Sequence, residues 1–262
     1  MTNRTQFIRD LAEEAAAKAL KMRREQGEDF IQAKGHQDFV TYADRAVEDL
    51  IRSRIAEQFP DEHVLGEEEG QSGDGPKLWV VDPIDGTANY MRGGADWAVS
   101  IAYMEDGVLE AAAICAPELD VTLWAAKDQG AMVRHAGVEQ AVALSDCTDV
   151  HAGVLMVGWS GRQKVEDHVA SVSRALNAGM EYRRNGAAVI SLLAVALGRA
   201  EGYWEQYVNA WDVFAMWLIL QEAGAVIETV APLEFIGAPR HFVAMVPALE
   251  TDIRAIVGDL VQ

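Results

Sequence analysis

The chain predicts a layered α+β fold, and three patterns in the sequence carry that expectation. Apolar residues recur at helical spacing over residues 5–25 and 42–59. Short strand signals separated by turn residues fill most of 63–134. Beyond residue 150, helix and strand signals alternate without strict βαβ regularity, which favours stacked sheets and helices over a barrel.

Each element has a local cause. In the first helix Phe7, Leu11, Ala15, Ala19 and Met22 fall three or four residues apart with charges between them, and Gly27 is a stop signal. Residues 27–40 are polar and contain glycine, so they read as a loop or a short hairpin. In the second helix Val47, Leu50, Ile51, Ile55 and Phe59 make one apolar stripe, and Pro60 lies just past its end. Strands are expected at 63–66, 78–82, 97–104 and 108–115, with Asp106-Gly107 as a hairpin turn signal between the last two. Shorter strands are expected near 121–126 and 131–134.

Residues 140–150 lack a clear period and read as the seam between an N-terminal α+β half, 1–145, and a C-terminal half, 146–262. The second half predicts a strand at 153–159, helices at 163–177 and 186–198, and a strand at 201–206. A helix at 211–222 stops at Gly224, strands follow at 225–229 and 241–246, and a last helix covers 247–259. Trp211, Phe214 and Trp217 sit at helical spacing and are expected in the core.

Composition narrows the function classes. A length of 262 residues supports one large domain or two fused halves with a substantial core. The formal net charge of −19 disfavours nucleic acids and anionic membranes, since no basic stripe is available to displace counterions. It does not exclude an anionic substrate, because bound cations reverse the local sign. Cys115 and Cys147 make neither a disulfide framework nor a zinc spacing, and a reducing cytoplasm is the simplest setting. Met1 to Phe7 shows no apolar leader, and the apolar stretches are short and interrupted by charge, so neither a secretory signal nor a membrane helix is expected. The histidines show no pairing suggestive of zinc, and neither a nucleophile elbow nor a phosphate-cradling P-loop is present.

The chemistry is concentrated in acids: Glu67-Glu68, then Asp82-Pro83-Ile84-Asp85-Gly86-Thr87, then Trp211-Asp212. The middle segment ends the apolar run Leu78-Trp79-Val80-Val81. A strand that stops on an acid, turns through proline and offers a second acid three residues later makes an oxygen-rich nook of the kind Mg²⁺ takes. Each piece also has a plainer reading. Glu67-Glu68-Glu69 can be a solvated acidic run, Thr41 to Asp44 a helix capping box, and Asp85-Gly86 an ordinary turn. Trp211-Asp212 can be a packed indole beside an N-cap, Lys34 a surface lysine, and Glu205 a strand-edge charge.

Taken in order, Gly66-Glu67-Glu68, the run from Trp79 to Tyr90, and Trp211-Asp212 with Glu222-Ala223-Gly224 resemble the three signatures of the inositol monophosphatase family. Lys34, the stretch Asp38 to Asp44, and Asn185-Gly186-Ala187-Ala188 match in the same order, so the resemblance covers essentially the whole chain. It implies a five-layered αβαβα sandwich and a homodimer. It further implies Mg²⁺, roughly two or three ions per subunit. By the resemblance, Asp82 bridges two ions, Glu67 and the Ile84 carbonyl complete the first site, and Asp85 and Asp212 complete the second. Glu68 lies just behind, a third ion sits near Glu67, and Lys34 belongs to a loop that closes over the metals. Asp44 and Thr87 orient or deprotonate the attacking water, and the backbone N–H groups of Gly86 and Thr87 hold the phosphate.

The implied substrate is a small phosphorylated alcohol, read by Asp85, Ala188, Glu205 and Asp212. An acceptor-rich wall suits a polyol such as inositol monophosphate. Histidinol phosphate and the sugar or nucleotide phosphates that relatives hydrolyse are the alternatives, as is a regulatory binding protein that keeps the fold. The chain departs from the family pattern at Ala187, where serine or threonine is common, and at Gly93-Gly94-Ala95-Asp96. Both departures fall near the expected substrate mouth.

Overall fold

A computed structural model describes residues 3–25, 31–35 and 38–258, with side chains for 3–25 and 42–258. The N-terminal helix α1 (Asn3–Glu25) buries Ile8, Leu11, Ala12, Ala15, Ala16 and Ala19 along one face. Alanine is the strongest helix former, and its small side chain lets the helix lie close against a sheet. A short antiparallel hairpin, β1 (Ile31–Gly35) and β2 (Asp38–Thr41), leads into α2 (Tyr42–Gln58), which buries Val47, Ile51 and Ile55.

The next eight strands form one sheet. They are β3 (His63–Gly66), β4 (Gly70–Ser72), β5 (Lys77–Asp85), β6 (Ala98–Glu105), β7 (Val108–Ala116), β8 (Val121–Ala126), β9 (Ala131–His135) and β10 (Val138–Ala141). Their order is β10-β9-β8-β7-β6-β5-β3-β4, antiparallel except for the parallel pair β3/β5. Strand β5 is buried at every position but its first, because helices cover both faces of the sheet. One face meets α1 and α2 through Trp79, Val81, Val99, Ile101 and Tyr103. The opposite face meets α5 (Ala188–Ala196) and α6 (Ala210–Glu222) through Val80, Ala102, Ala112 and Ile114.

Helices α5 and α6 are apolar nearly all round, as helices sandwiched between two sheets must be. Their other side packs on a five-stranded sheet of order β12-β11-β13-β15-β14. Its strands are β11 (Val154–Val157), β12 (Glu181–Arg183), β13 (Gly202–Val208), β14 (Val226–Glu228) and β15 (Arg240–Met245). Beyond that sheet lie α4 (Val165–Asn177) and α8 (Glu250–Val257). The five layers are therefore α1/α2, the large sheet, α5/α6, the small sheet, and α4/α8, which is the expected αβαβα sandwich. Phe214 and Trp217 lie in its central layer, as their spacing predicted, with Trp211 partly buried against the same core.

The sequence reading missed several short elements: β4, β10, β12, the five-residue helix α3 (Thr87–Met91) and α7 (Pro232–Phe235). None is long enough to show a period, so each forms only because neighbouring chain completes its hydrogen bonds. The seam expected at 140–150 begins with β10, an exposed edge strand. The helix expected from 186 starts at 188, because Gly186 takes φ +76°. The helix expected at 247–259 opens with a 3₁₀ turn at Pro247–Leu249 before α8, and residue 259 lies outside the described residues.

Two side chains fix the halves of the large sheet to their surroundings. The Glu222 carboxylate at the end of α6 accepts N–H bonds from Asp128, Gln129 and Gly130 in the β8–β9 turn, at 2.8, 3.1 and 2.7 Å. Trp79 is fully buried among Phe7, Phe59 and Tyr103, and its indole N–H donates to Glu62 at 2.8 Å. Replacing it would empty the contact between α1, α2 and the sheet. Trp79→Ala is therefore expected to lower the unfolding free energy by about 3–5 kcal/mol, measured by urea denaturation followed by circular dichroism.

Candidate metal centre

The site starts from an irregularity in β5. Asp82 pairs with Ser100 and Asp85 with Ala98, so three steps along β5 face two along β6. The extra residue cancels the alternation that would send Asp82 and Asp85 to opposite faces. Pro83 has no N–H to lose at that point. The Ile84 N–H turns inward and donates to Asp82 Oδ1 at 3.0 Å. Asp82, Asp85 and Asp212 thereby converge, with one carboxylate oxygen of each within 4.8 Å of the others.

Two helix N-termini aim at the same point. Asp85 accepts from the N–H groups of Ala188 (3.1 Å) and Val189 (2.9 Å), the first residues of α5. Asp212 stands in the first turn of α6, where one oxygen accepts from the Asn209 backbone N–H (2.7 Å) and side-chain amide (3.1 Å). The plainer reading of Asp212 as the N-cap is corrected: Asn209 is the N-cap, and Asp212 stands at N3, where one oxygen closes the capping box while the residue still joins the cluster.

Electrostatics decide what the cluster can hold. Burial pushes Asp82 well above the ordinary carboxylate range, and Glu67, Asp85 and Asp212 add repulsion. Glu67 is hydrogen-bonded to Asp82, which brings a fourth acid to the group. Burial and the charge of Asp212 raise Asp85 to about 7, against the opposing N–H bonds from α5. Asp212 rises to about 6 through burial, opposed by the Asn209 bonds and by Arg162. Carboxylates held this close stay ionised together only when cations offset them, and oxygen-only donors suit a hard divalent ion. The residues fit Mg²⁺.

Around the cluster, the Thr87 hydroxyl lies 3.1 Å from Asp44 Oδ1 and 3.0 Å from the Ile84 carbonyl oxygen. Asp44 is fully buried in the first turn of α2. Gly86 precedes Thr87 at φ +87°, and a Cβ there would stand 2.7 Å from the Asp96 carbonyl oxygen. Glu67 and Glu68 are half-buried in the turn after β3, so a solvated acidic run describes only the exposed Glu69. Lys34 lies on β1, and its side chain is outside the described residues.

A cavity of about 170 Å³ adjoins the acids. Asp85, Asp212, Ala188 and Glu205 line it, so the residues expected to read the alcohol are together. Glu205 is not a strand-edge charge. It sits on β13, a central strand, buried at 8% exposure, and accepts a 2.6 Å bond from the Tyr203 hydroxyl. Burial drives it up to about 8, against the Tyr203 bond. Gly158 makes room for it, since a Cβ there would fall 1.7 Å from Glu205 Oε2.

Sequence reasoning missed two supports. Glu48 is fully buried and accepts from the N–H groups of Glu68 (2.9 Å) and Glu69 (3.1 Å), while Arg52 pairs with it at 2.7 Å. Gly66 leaves the space it occupies, since a Cβ would lie 2.2 Å from Glu48 Oε1. Glu48 stands one helical turn after Asp44, and that spacing was the available signal. Tyr203, two residues before Glu205 on the same face of β13, is the second.

Two stacked sheets with helices on and between them thus enclose an all-oxygen acidic nook beside a polar cavity. The chain belongs to the inositol monophosphatase family, whose description it matches over residues 2–258. It is 35% identical over 205 residues to a fructose-1,6-bisphosphatase/inositol-1-monophosphatase of Aquifex aeolicus, covering 75% of this chain and 74% of that one. It is 33% identical over 196 residues to Nus factor SuhB of Xylella fastidiosa, covering 74% and 70%. Among solved structures it superposes on Mycobacterium tuberculosis SuhB with TM-score 0.83 and 28% identity over 98% of this chain and 96% of that one. A Thermotoga maritima IMPase gives TM-score 0.85 at 25% identity, covering 99% and 98%.

The raised carboxylates set the pH dependence. Asp85 and Asp212 hold protons in the folded protein at pH values where the unfolded chain has released them. Their contribution to stability is complete below the unfolded value and is lost as pH rises through about 6 to 7. Metal-free protein in chelator should therefore melt lower at about pH 8 than at about pH 5.5, and Mg²⁺ should raise the melting temperature more at the higher pH. Differential scanning fluorimetry reads both, and Asp85→Asn should narrow the metal-free difference. Glu48→Gln, which weakens the hold on the Glu67-Glu68 turn, should raise the Mg²⁺ concentration for half-maximal thermal shift by about 10-fold or more.

Proposed function

We propose that the protein is a Mg²⁺-dependent phosphomonoesterase acting on a small phosphorylated polyol, inositol monophosphate being the best fit. The observation that carries this reading is the convergence of Asp82, Asp85 and Asp212 beside the Asp44–Thr87 contact. Asp82, Glu67 and the Ile84 carbonyl would hold one cation and Asp82, Asp85 and Asp212 a second; a weaker third would sit near Glu67, with Glu68 just behind and Lys34 in the segment that closes over the metals. Bound there, the cations supply Lewis acidity that favours ionised water and offsets charge on the ester oxygens. Thr87 passes the proton of the attacking water toward Asp44, whose burial beside the hydroxyl keeps that route dry. The backbone N–H groups of Gly86 and Thr87 seat the phosphate. Asp212, Glu205, Asp85 and the Ala188 backbone face the alcohol across the cavity.

The two halves divide the work in this reading: 1–145 supplies most of the metal site, and 146–262 supplies Asp212 and the alcohol wall. In this reading the protein works as a cytoplasmic homodimer. Among the described residues no helix is long and apolar enough to cross a membrane. A second, regulatory reading rests on relatives named Nus factor SuhB. The net charge of −19 favours a protein partner over RNA in that case.

Phosphate release from myo-inositol 1-phosphate, histidinol phosphate and fructose 1,6-bisphosphate with Mg²⁺ tests the main reading. The wild type should turn over at least the first, and silence on all three would refute it. Asp82→Asn should lower kcat by at least about 100-fold while leaving the circular dichroism spectrum unchanged. Thr87→Ala should lower kcat by about 100-fold with little change in KM, since it removes a proton path and no alcohol contact.

A further inference from the structure

An arginine lies on buried aromatic rings near each end of α1, and the two make different contacts. Near the start, Arg4 stands over the Phe59 and Tyr103 rings, at 4.2 and 3.8 Å, and pairs with Glu62 through two bonds of 2.7 and 2.8 Å. Those partners are side chains, and none of them lines the cavity. In the last turn, Arg23 stands over the fully buried rings of Tyr90 and Trp97, at 5.4 and 5.5 Å, and its Nη2 pairs with Glu118. Its Nη1 donates at 2.8 Å to a backbone group, the carbonyl of Gly94.

That carbonyl belongs to the Gly93-Gly94-Ala95-Asp96 turn between α3 and β6, where the chain departs from the family pattern. The turn is wired to the loop that carries the acids. The Gly94 N–H donates to the Asn89 carbonyl at 2.9 Å, and the Asn89 side chain donates to the Asp96 carbonyl at 2.8 Å. The Asp96 carbonyl oxygen and the Trp97 Cα back directly onto Gly86, since a Cβ there would stand 2.7 and 3.4 Å from them. The Gly86 carbonyl accepts from the N–H groups of Asn89 and Tyr90 at 2.8 and 2.9 Å, so Gly86 is built into the first turn of α3. Tyr90 ties the same unit to α1, its hydroxyl donating to the Ala19 carbonyl at 2.8 Å.

Two successive glycines have no side chains to pack, and their backbone freedom works against a fixed turn. Arg23 supplies the restraint that the turn lacks. A guanidinium holds its donors in a rigid plane, so its bond fixes direction as well as distance. Asp82 and Asp85 are held separately, by pairing with β6 and, for Asp85, by the N–H groups of α5.

We infer that Arg23 is a positioning residue for the phosphate seat: it holds the 93–97 turn against Gly86 and thereby aims the Gly86 and Thr87 N–H groups. The inference rests on the phosphatase reading above and adds a residue outside the cavity that sets how tightly phosphate is held. Loss of this clamp loosens phosphate and spares the metal.

Titration calorimetry with inorganic phosphate in saturating Mg²⁺ tests this, beside kcat and KM for the ester the wild type hydrolyses best. Arg23→Met keeps an apolar chain on the two rings and removes the donor. It should raise the phosphate Kd by about 5-fold or more and lower kcat/KM by about 10-fold or more, since a small misplacement of the seat is felt in the reaction. The Mg²⁺ concentration for half-maximal thermal shift, measured without phosphate, should stay within about 2-fold of the wild type. Arg23→Lys, which can still donate to the Gly94 carbonyl, should recover part of the phosphate affinity. Arg4→Met should lower the melting temperature and leave the phosphate Kd as in the wild type. An unchanged phosphate Kd in Arg23→Met overturns the inference. So does an equal rise in Arg4→Met, which would mark a general loosening of α1, or a Mg²⁺ shift as large as the phosphate shift. A wild type that binds phosphate but hydrolyses no ester refutes the phosphatase reading, and the ratio of phosphate Kd between Arg23→Met and wild type then decides the role of Arg23. A wild type that binds no phosphate overturns the inference whatever it hydrolyses.

Discussion

Mutual repulsion among buried carboxylates is the constraint that organises this molecule. Asp82, Asp85 and Asp212 come within 4.8 Å of one another, with Glu67 bonded to the first. Left alone, such a group would protonate or open toward water. The fold answers by surrounding it with positive ends of dipoles. The first N–H groups of α5 point at Asp85, and Asp212 sits in the first turn of α6. The two helices of the central layer therefore both converge on the broken end of β5. A bound cation would complete what the dipoles begin.

That convergence explains why the layers stack as they do. The acids come from the large sheet and from α6, while Glu205 comes from the small sheet, so the cavity opens where the three meet. Glycine is required at the close approaches: Gly66 admits Glu48 and Gly158 admits Glu205. In both places the missing side chain makes room for a carboxylate, one that holds a turn and one that lines the cavity.

The local motifs were legible because their chemistry is local. Asp82 to Thr87 announces itself by a proline and a glycine between acids, and the order of the acidic segments pointed to one site. The long periodic helices α1 and α2 were equally clear, since burial of one face demands a repeating pattern. Short elements such as β4, β12 and α3 carry no period, and only their neighbours make them regular. Glu48 and Tyr203 escaped notice because their partners are distant or their role is second-hand: Glu48 binds backbone N–H groups twenty residues away, and Tyr203 touches another side chain.

By itself the sequence determined the inventory: which carboxylates exist, where the chain must turn, which faces must be buried, and that oxygen donors would dominate. Tertiary structure alone decided how these acids are shared. Only packing shows that Asp212 closes a capping box behind Asn209 and joins the cluster, and that Glu205 is enclosed where a strand-edge position was plausible. It likewise distinguishes Arg183, which is paired, from Arg184, which faces a cavity. The physical reason is that charge, solvation and hydrogen bonding act through space, over distances the order of residues along a chain does not specify.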